Sequence, residues 1–422
     1  MTVAGATPGA GSAALQAVLQ RTARESRHAL VLSGGGANGA YEVGVVRALA
    51  EGASAATGYT PLSIQVFSGT SVGAYNAAFL AQQDWTAAPQ AAHALDEVWR
   101  DRVADTLRSC GNGVYRLRLD PWRWVDPACL AHPLNNLVET AADSASLALY
   151  GLVYGLRFLT SDQPARTRWS ELLDVEAFFS NAPFSKLLAD TIDLDRLARS
   201  PSDLKVVATD WLAGTAHVFD KAQIVAELGT TALLASAAIP GLFPPVSIGG
   251  RPYVDGAVQM NTPLQPAIAA GADVLHAVYV DPEVADIPNP KLPYTLNTFY
   301  RVYVMVIAAR MNNDIFTLGL INEDLELAGR LHLETSDPRL VGLPILQRIV
   351  QRLESGTPYR PLVVHRYRPK VPLSDIGGLL DFRASYVDEI IAQGYEDTIA
   401  HDCRVAQCIL PPAQAVAAGL RS

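Results

Sequence analysis

HALVLSGGGANGAYEVGVVRALA, residues 28–50, sets the reading of the whole chain. His28 to Ser33 is a short apolar run of β-forming residues. It ends in three consecutive glycines, Gly34, Gly35 and Gly36, followed by Ala37, Asn38 and Gly39. From Ala40 to Ala50 the apolar spacing changes to that of a helix, with Tyr41, Val45 and Leu49 on one face. The pattern then repeats. IQVFSGTSVGAYNAAFLAQ, residues 64–82, reads as a strand from Ile64 to Phe67, a second glycine-bounded turn, and a helix from about Val72 to Gln82. Strand, glycine turn, helix, twice in succession, predicts an α/β fold with a mostly parallel sheet.

Later segments extend this alternation. Leu204–Thr209 reads as a strand with Ala216–Phe219 as its neighbour, and Ile224–Ala238 as a helix stopped by Pro240. Val274–Val280 is a further buried strand, ended by Asp281 and Pro282. Leu362–Tyr367 is a last strand, and Tyr386–Ile399 carries apolar residues at 386, 387, 390, 391, 395 and 399, as an amphipathic helix does. Two regions break the alternation: residues about 111–200, and residues about 292–335, which read as a long helix or helical pair. The expected organisation is a flexible segment at 1–26, a catalytic domain at 27–290 with a helical cap insertion at about 111–200, and a helical extension at 291–422. That extension contains the late strand and packs on the same domain.

The net charge of −9 argues against a nucleic-acid partner, which selects for basic surface. The four cysteines, Cys110, Cys129, Cys403 and Cys408, form no C-x-x-C pair, so the pattern suggests neither a zinc site nor a redox motif. Few thiols in a long chain fit a reducing compartment. The N-terminus has no basic region followed by a concentrated apolar stretch, so no secretory signal is expected. No charge-free apolar run is long enough to span a bilayer. A cytoplasmic location is expected, with peripheral membrane contact left open.

Gly69-Thr70-Ser71-Val72-Gly73 fits the G-x-S-x-G pattern. A sharp strand-to-helix turn lifts the serine hydroxyl above the sheet and crowds its neighbours, so Gly69 and Gly73 must lack a Cβ. Serine attack on a carbonyl also needs donors for the oxyanion, each worth roughly 3–4 kcal/mol. Gly34, Gly35 and Gly36 offer several N–H groups in one concave turn. The same run satisfies G-x-G-x-x-G, so a dinucleotide-binding, Rossmann-type protein is the alternative. Against it, the second strand ends in Ser68-Gly69-Thr70-Ser71, without the acidic residue that would hold a ribose.

The conspicuous acid is Asp255, at an apparent strand end, Tyr253-Val254-Asp255-Gly256-Ala257. Gly256 allows close approach, and a carboxylate there either faces Ser71 or bonds its own turn backbone. Three stretches together, GGGANG with the helix GAYEVGVVRAL, then GTSVG, then ASAAIPGLFPP leading to DGA, resemble the patatin-like phospholipase family over residues about 28–282.

That resemblance implies a three-layer α/β/α fold and a Ser–Asp dyad acting on lipid esters, phospholipids among them, with no cofactor and no catalytic metal. Ser71 would be the nucleophile and Asp255 the base. Gly34, Gly35, Gly36 and Ala37 would form the oxyanion hole, with Asn38, Gly39 and Gly256 in support. Many family members carry Arg or Lys where this chain has Asn38, which loosens the link to phospholipid in particular. A Ser–His–Asp esterase of the ordinary α/β-hydrolase type is the other alternative, and would recruit His276, His332, His365 or His401. SLALYGLVYGLRFLT, residues 146–160, reads as a cap helix packed on the core, or as an interfacial helix or acyl channel wall with Trp122 and Trp124 at a headgroup boundary. Arg116, Arg118 and Arg123 are either solvated or contacts for phosphate.

Overall fold

The computed structural model describes residues 26–106, 110–160, 179–280 and 362–410 without 372, 374 and 375, together with Met305, Leu318, Gly319 and Asn322. Nearly all of the expected flexible segment at 1–26, and most of the helical stretch expected at 292–335, lie outside the described residues.

Strand β1 (His28–Leu32) passes through a helical turn at Gly36–Asn38 into α1 (Gly39–Ala50). Strand β2 (Val66–Thr70) runs directly into α2 (Val72–Ala81), and α3 (Ala88–Val98) follows. A small ribbon, β3 (Arg116–Leu117) with β4 (Phe179–Ser180), flanks the long helix α4 (Pro133–Thr160). Then come α5 (Ala182–Thr191), β5 (Asp203–Asp210), β6 (Thr215–Asp220), α6 (Thr231–Ser236), β7 (Val246–Ile248) and β8 (Arg251–Asp255). After these come α7 (Leu264–Ala269), β9 (Val274–Val278), β10 (Val363–Tyr367) and α8 (Ala384–Ile399).

The main sheet has the order β10-β9-β1-β2-β5-β8-β7, with β6 also paired to β5. Strands β10, β9, β1, β2 and β5 are mutually parallel, whereas β6 and β8 run antiparallel to β5. Side chains alternate across β1 as strand geometry requires. Leu30 and Leu32 join a core with Tyr41, Leu49 and Phe67 under α1 and α2. Ala29 and Val31 join a second core with Leu264 and Ala267 of α7. One sheet buried on both faces by helices is the three-layer α/β/α arrangement expected from the sequence.

One expected helix is broken. Over Ile224–Ala238, Gly229 takes φ 57° and its N–H returns to Ile224 O at 2.8 Å, closing a wide turn. The chain restarts as α6 two residues later.

Helix α8 crosses α1 with backbone nearly touching backbone. A Cβ on Gly44 would stand 2.0 Å from Ile391 O, and one on Gly394 would stand 2.2 Å from Tyr41 O. No larger residue fits either position without parting the helices.

Outside the sheet, Cys110 and Cys129 form a disulfide, so two of the four cysteines are not free thiols. This departs from the reducing-compartment expectation, since such bonds persist mainly in oxidising surroundings. Arg116 pairs with Asp143, Arg118 donates to Ser146 Oγ at 2.7 Å, and Arg123 to Glu139 at 2.5 Å. These arginines fasten residues 116–123 to α4 and are neither simply solvated nor turned to phosphate. The helix itself is not buried against the core: Leu134, Val138, Leu149, Leu152 and Leu156 are all exposed, as are Trp122 and Trp124 beside it. Among the described residues no helix is long and apolar enough to cross a membrane.

Candidate active site

Ser71 stands at the junction of β2 and α2 with φ 56° and ψ −126°, a conformation that side-chain-bearing residues rarely adopt. Such strain costs about 1–3 kcal/mol and persists only where packing over-determines it. Here the packing is visible. A Cβ on Gly69 would lie 2.2 Å from Gly73 O, and one on Gly73 would lie 2.5 Å from both Leu32 O and Ser33 O. Both glycines of the motif are therefore required by backbone-to-backbone contact. The Ser71 N–H is held as well: it donates to Ser236 Oγ at 2.9 Å, and Ser236 Oγ donates to Val207 O at 2.6 Å.

Sheet topology brings the acid to the serine. Strand β2 follows one edge of β5 as far as the pair Thr70↔Val207. On the next residue of β5 the same edge is taken over by β8, through the pair Ala208↔Asp255. The opposite edge of β5 is filled by β6 from Lys205 to Asp210, across the hand-over. Ser71, one residue past Thr70, thus arrives beside Asp255, and its hydroxyl is close enough to draw that carboxyl's pKa down. Gly256 sits so close to β5 that a Cβ there would be 2.3 Å from Val207 O.

Asp255 is 1% exposed. Its backbone N–H donates to Ala238 O at 2.8 Å, its carbonyl accepts from Thr209 Oγ1 at 2.9 Å, and Oδ1 accepts the Ala257 N–H at 2.8 Å. The turn bond anticipated for an isolated carboxylate is therefore made, and the serine contact exists beside it. Burial disfavours the charged form and pushes the carboxyl up to about 7, against the opposing pull of the Ser71 hydroxyl and the Ala257 amide.

The glycine turn lies against the same serine: a Cβ on Gly34 would be 3.0 Å from Ser71 Cβ. Its N–H groups are not equivalent. Gly34 N–H donates to Asn261 O at 3.2 Å and Asn261 Oδ1 at 3.1 Å, while Asn261 Nδ2 donates back to Gly34 O at 3.2 Å. No acceptor among the described residues takes the N–H of Gly35, Gly36 or Ala37. Gly36 has φ 56° and opens the helical turn at Gly36–Asn38, a sequence of conformations that aims successive amides into one concavity. Gly39 packs on the elbow, where a Cβ would meet Val72 Cγ2 at 2.6 Å. The Asn38 side chain is turned towards α8: its Oδ1 accepts from Tyr386 Oη at 2.8 Å.

Two positioning residues escaped the sequence reading. Ser236 lies in ASAAIPGLFPP, where nothing in the sequence singles out its hydroxyl, and Asn261 follows Asp255 by six residues in an unremarkable loop. That loop is tied to β2 by Thr70 Oγ1 donating to Met260 O at 2.8 Å and Ser68 Oγ donating to Pro263 O at 2.9 Å. The histidines that a triad would recruit are occupied elsewhere. His276 contacts His28 at 3.3 Å and Tyr367 at 3.1 Å, and His365 and His401 face Cys403. His332 lies outside the described residues.

A family model described as patatin-like phospholipase matches residues 30–268, which include every residue of this site. Among solved structures, VipD from Legionella pneumophila is similar at 15% identity and a TM-score of 0.35, over 89% of this chain and 66% of that one. This chain therefore spans just under two thirds of that protein's length. No curated protein matches the chain.

Proposed function

The chain belongs to the patatin-like phospholipase family, and on that premise we propose that it is a lipid acyl hydrolase with Ser71 as its nucleophile and Asp255 as its only general base. The observation that carries the proposal is a buried carboxyl, raised to about 7, against a serine hydroxyl held on a strained turn. A base works best when its pKa lies near the working pH, and burial supplies that here without a histidine.

The reaction proceeds as follows. Ser71 Oγ attacks the ester carbonyl carbon while its proton passes to Asp255. The amides of Gly35, Gly36 and Ala37 receive the negative charge on the carbonyl oxygen. Gly34 serves a different purpose, because its N–H is committed to Asn261 and fixes the turn. Collapse of the tetrahedral species breaks the ester C–O bond, and the departing alcohol takes the proton from Asp255. Water, deprotonated by the same carboxylate, then cleaves the acyl-serine and restores the free hydroxyl.

We assign phospholipid as the substrate class and a membrane surface as the place of encounter. Support comes from the exposed apolar side chains of α4 with Trp122 and Trp124, which suit the boundary between headgroups and acyl chains. The test is labelling of the intact protein with a fluorophosphonate, followed by product profiling on a mixed phospholipid extract. Labelling is expected at Ser71 alone, with release of fatty acid, and Ser71→Ala should lower turnover by at least about a thousandfold. Labelling that survives Ser71→Ala would sink the assignment.

A further inference from the structure

At the far edge of the sheet the fold gathers four ligand-type side chains that the reaction does not use. His365 comes from β10, and His401, Cys403 and Cys408 come from the turn after α8. Their donor atoms all lie within 4.8 Å of one another. His365 Nδ1 and His401 Nε2 are each 3.5 Å from Cys403 Sγ, and His401 Nε2 is 3.3 Å from Cys408 Sγ. Both cysteines are free thiols.

We propose that these four residues form a structural zinc site. Two thiolates and two imidazoles are a donor set that selects zinc among common divalent ions. The spacing also fits. A tetrahedron with Zn–S of ~2.3 Å and Zn–N of ~2.0 Å has ligand-to-ligand edges of roughly 3.3–3.8 Å; the His365–Cys403, His401–Cys403 and His401–Cys408 edges fall in that range, and the whole set, within 4.8 Å, closes to it by small side-chain shifts. Hydrogen bonding between neutral thiols and imidazoles does not by itself call for four such groups around one point.

The surroundings are built for the same purpose. Val364 and Ile409 exchange backbone hydrogen bonds at 2.8 and 3.0 Å, which pins the residue after Cys408 beside the residue before His365. Cys408 N–H closes the turn on Cys403 O at 2.9 Å, bringing both sulfurs to one side. The Arg366 N–H points at Cys408 Sγ, 3.5 Å away, the kind of backbone donor that steadies a bound thiolate. The His365 ring stacks on His276 and the His401 ring packs on Tyr367, which fixes both imidazoles in place. Four protein ligands leave no open coordination position, so the role is to fasten the segment after α8 to β10, not to activate water.

The test uses tag-free, full-length protein. Purified from zinc-supplemented cells, it should carry one equivalent of zinc per chain by elemental analysis. Replacing the metal with Co²⁺ under reducing conditions should give the thiolate charge-transfer and tetrahedral d–d bands of a two-sulfur site. A Cys403→Ser, Cys408→Ser double substitution should abolish both, while substitution of Cys110 and Cys129 should leave them. Chelation should lower the Tm of the wild-type chain, and added zinc should restore it. The cobalt spectrum is read on wild-type protein, so it stands even if the double variant misfolds. Absence of bound metal with excess Co²⁺, full metal content in the folded double variant, or a Cys403–Cys408 disulfide in protein made under reducing conditions would each overturn the proposal.

Discussion

Ser236 holds Ser71 by its backbone: one hydroxyl accepts the Ser71 N–H at 2.9 Å and donates to Val207 O at 2.6 Å. Removing it leaves a buried amide without a partner, at a cost of about 1–3 kcal/mol. The strained φ of Ser71 then loses one of its restraints. Ser236→Ala is expected to lower kcat by about tenfold or more with little change in KM. Steady-state kinetics on a short-chain nitrophenyl ester decide this, and an unchanged kcat would show that the glycines alone hold the turn.

If Asp255 is the base, as proposed, it sets the pH dependence. Only its ionised form would accept the serine proton, so kcat/KM should rise with pH through a single step near 7, the value to which burial has pushed it. Asp255→Asn should remove the step and lower the rate by at least about a thousandfold. A step near 7 that persists in this variant would assign the ionisation to another group.

The same shift makes Asp255 a cost to stability. Its folded pKa is raised above the unfolded value of 3.8. Stability linked to this carboxyl is thus fully present below that lower value and lost as pH rises through about 7. A shift of this size corresponds to roughly 4 kcal/mol at most. Asp255→Asn should therefore raise Tm above that of the wild type at pH 8, with the gain shrinking towards pH 4. Thermal unfolding at both pH values tests the sign, and a variant less stable at pH 8 than the wild type contradicts it.

If α4 meets a membrane, its exposed leucines matter only for aggregated substrate. Leu152→Gln with Leu156→Gln is expected to lower hydrolysis of phospholipid vesicles by about a hundredfold or more, since each buried leucine is worth about 1.5–3 kcal/mol. Turnover of a soluble short-chain ester should stay within twofold or so of wild type. Equal losses on both substrates would place the helix in the structural core of the cap.

Much of this was legible in the sequence because the information was local. A glycine run after a strand, and a serine between two glycines, each report on a single turn, and both turns form where the pattern puts them. Even Asp255 announced itself by standing between a strand end and a glycine. What escaped depends on contacts between distant segments. Nothing beside Gly34 reveals that its amide is taken by Asn261, 227 positions away. The arginines at 116–123 read as solvated or turned to phosphate because their partners, Asp143, Ser146 and Glu139, lie well down the chain on α4. The cysteine pattern suggested no metal because the ligands are not paired in sequence, and His365 joins the others only when β10 meets the tail after α8. Gly229 was visible, yet helical periodicity on both sides of it masked the break.

The hand-over of one β5 edge from β2 to β8 has an evolutionary corollary. Ser71 and Asp255 are spaced by the rise of a single strand, about 3.3 Å per residue, and not by any loop. Insertions elsewhere can lengthen, shorten or resurface residues 111–200 without altering that interval. On the proposed function, selectivity for one lipid over another is therefore free to drift while the chemistry stays fixed. Conversely, a one-residue slip of β8 would part Asp255 from Ser71 however well the surface were preserved.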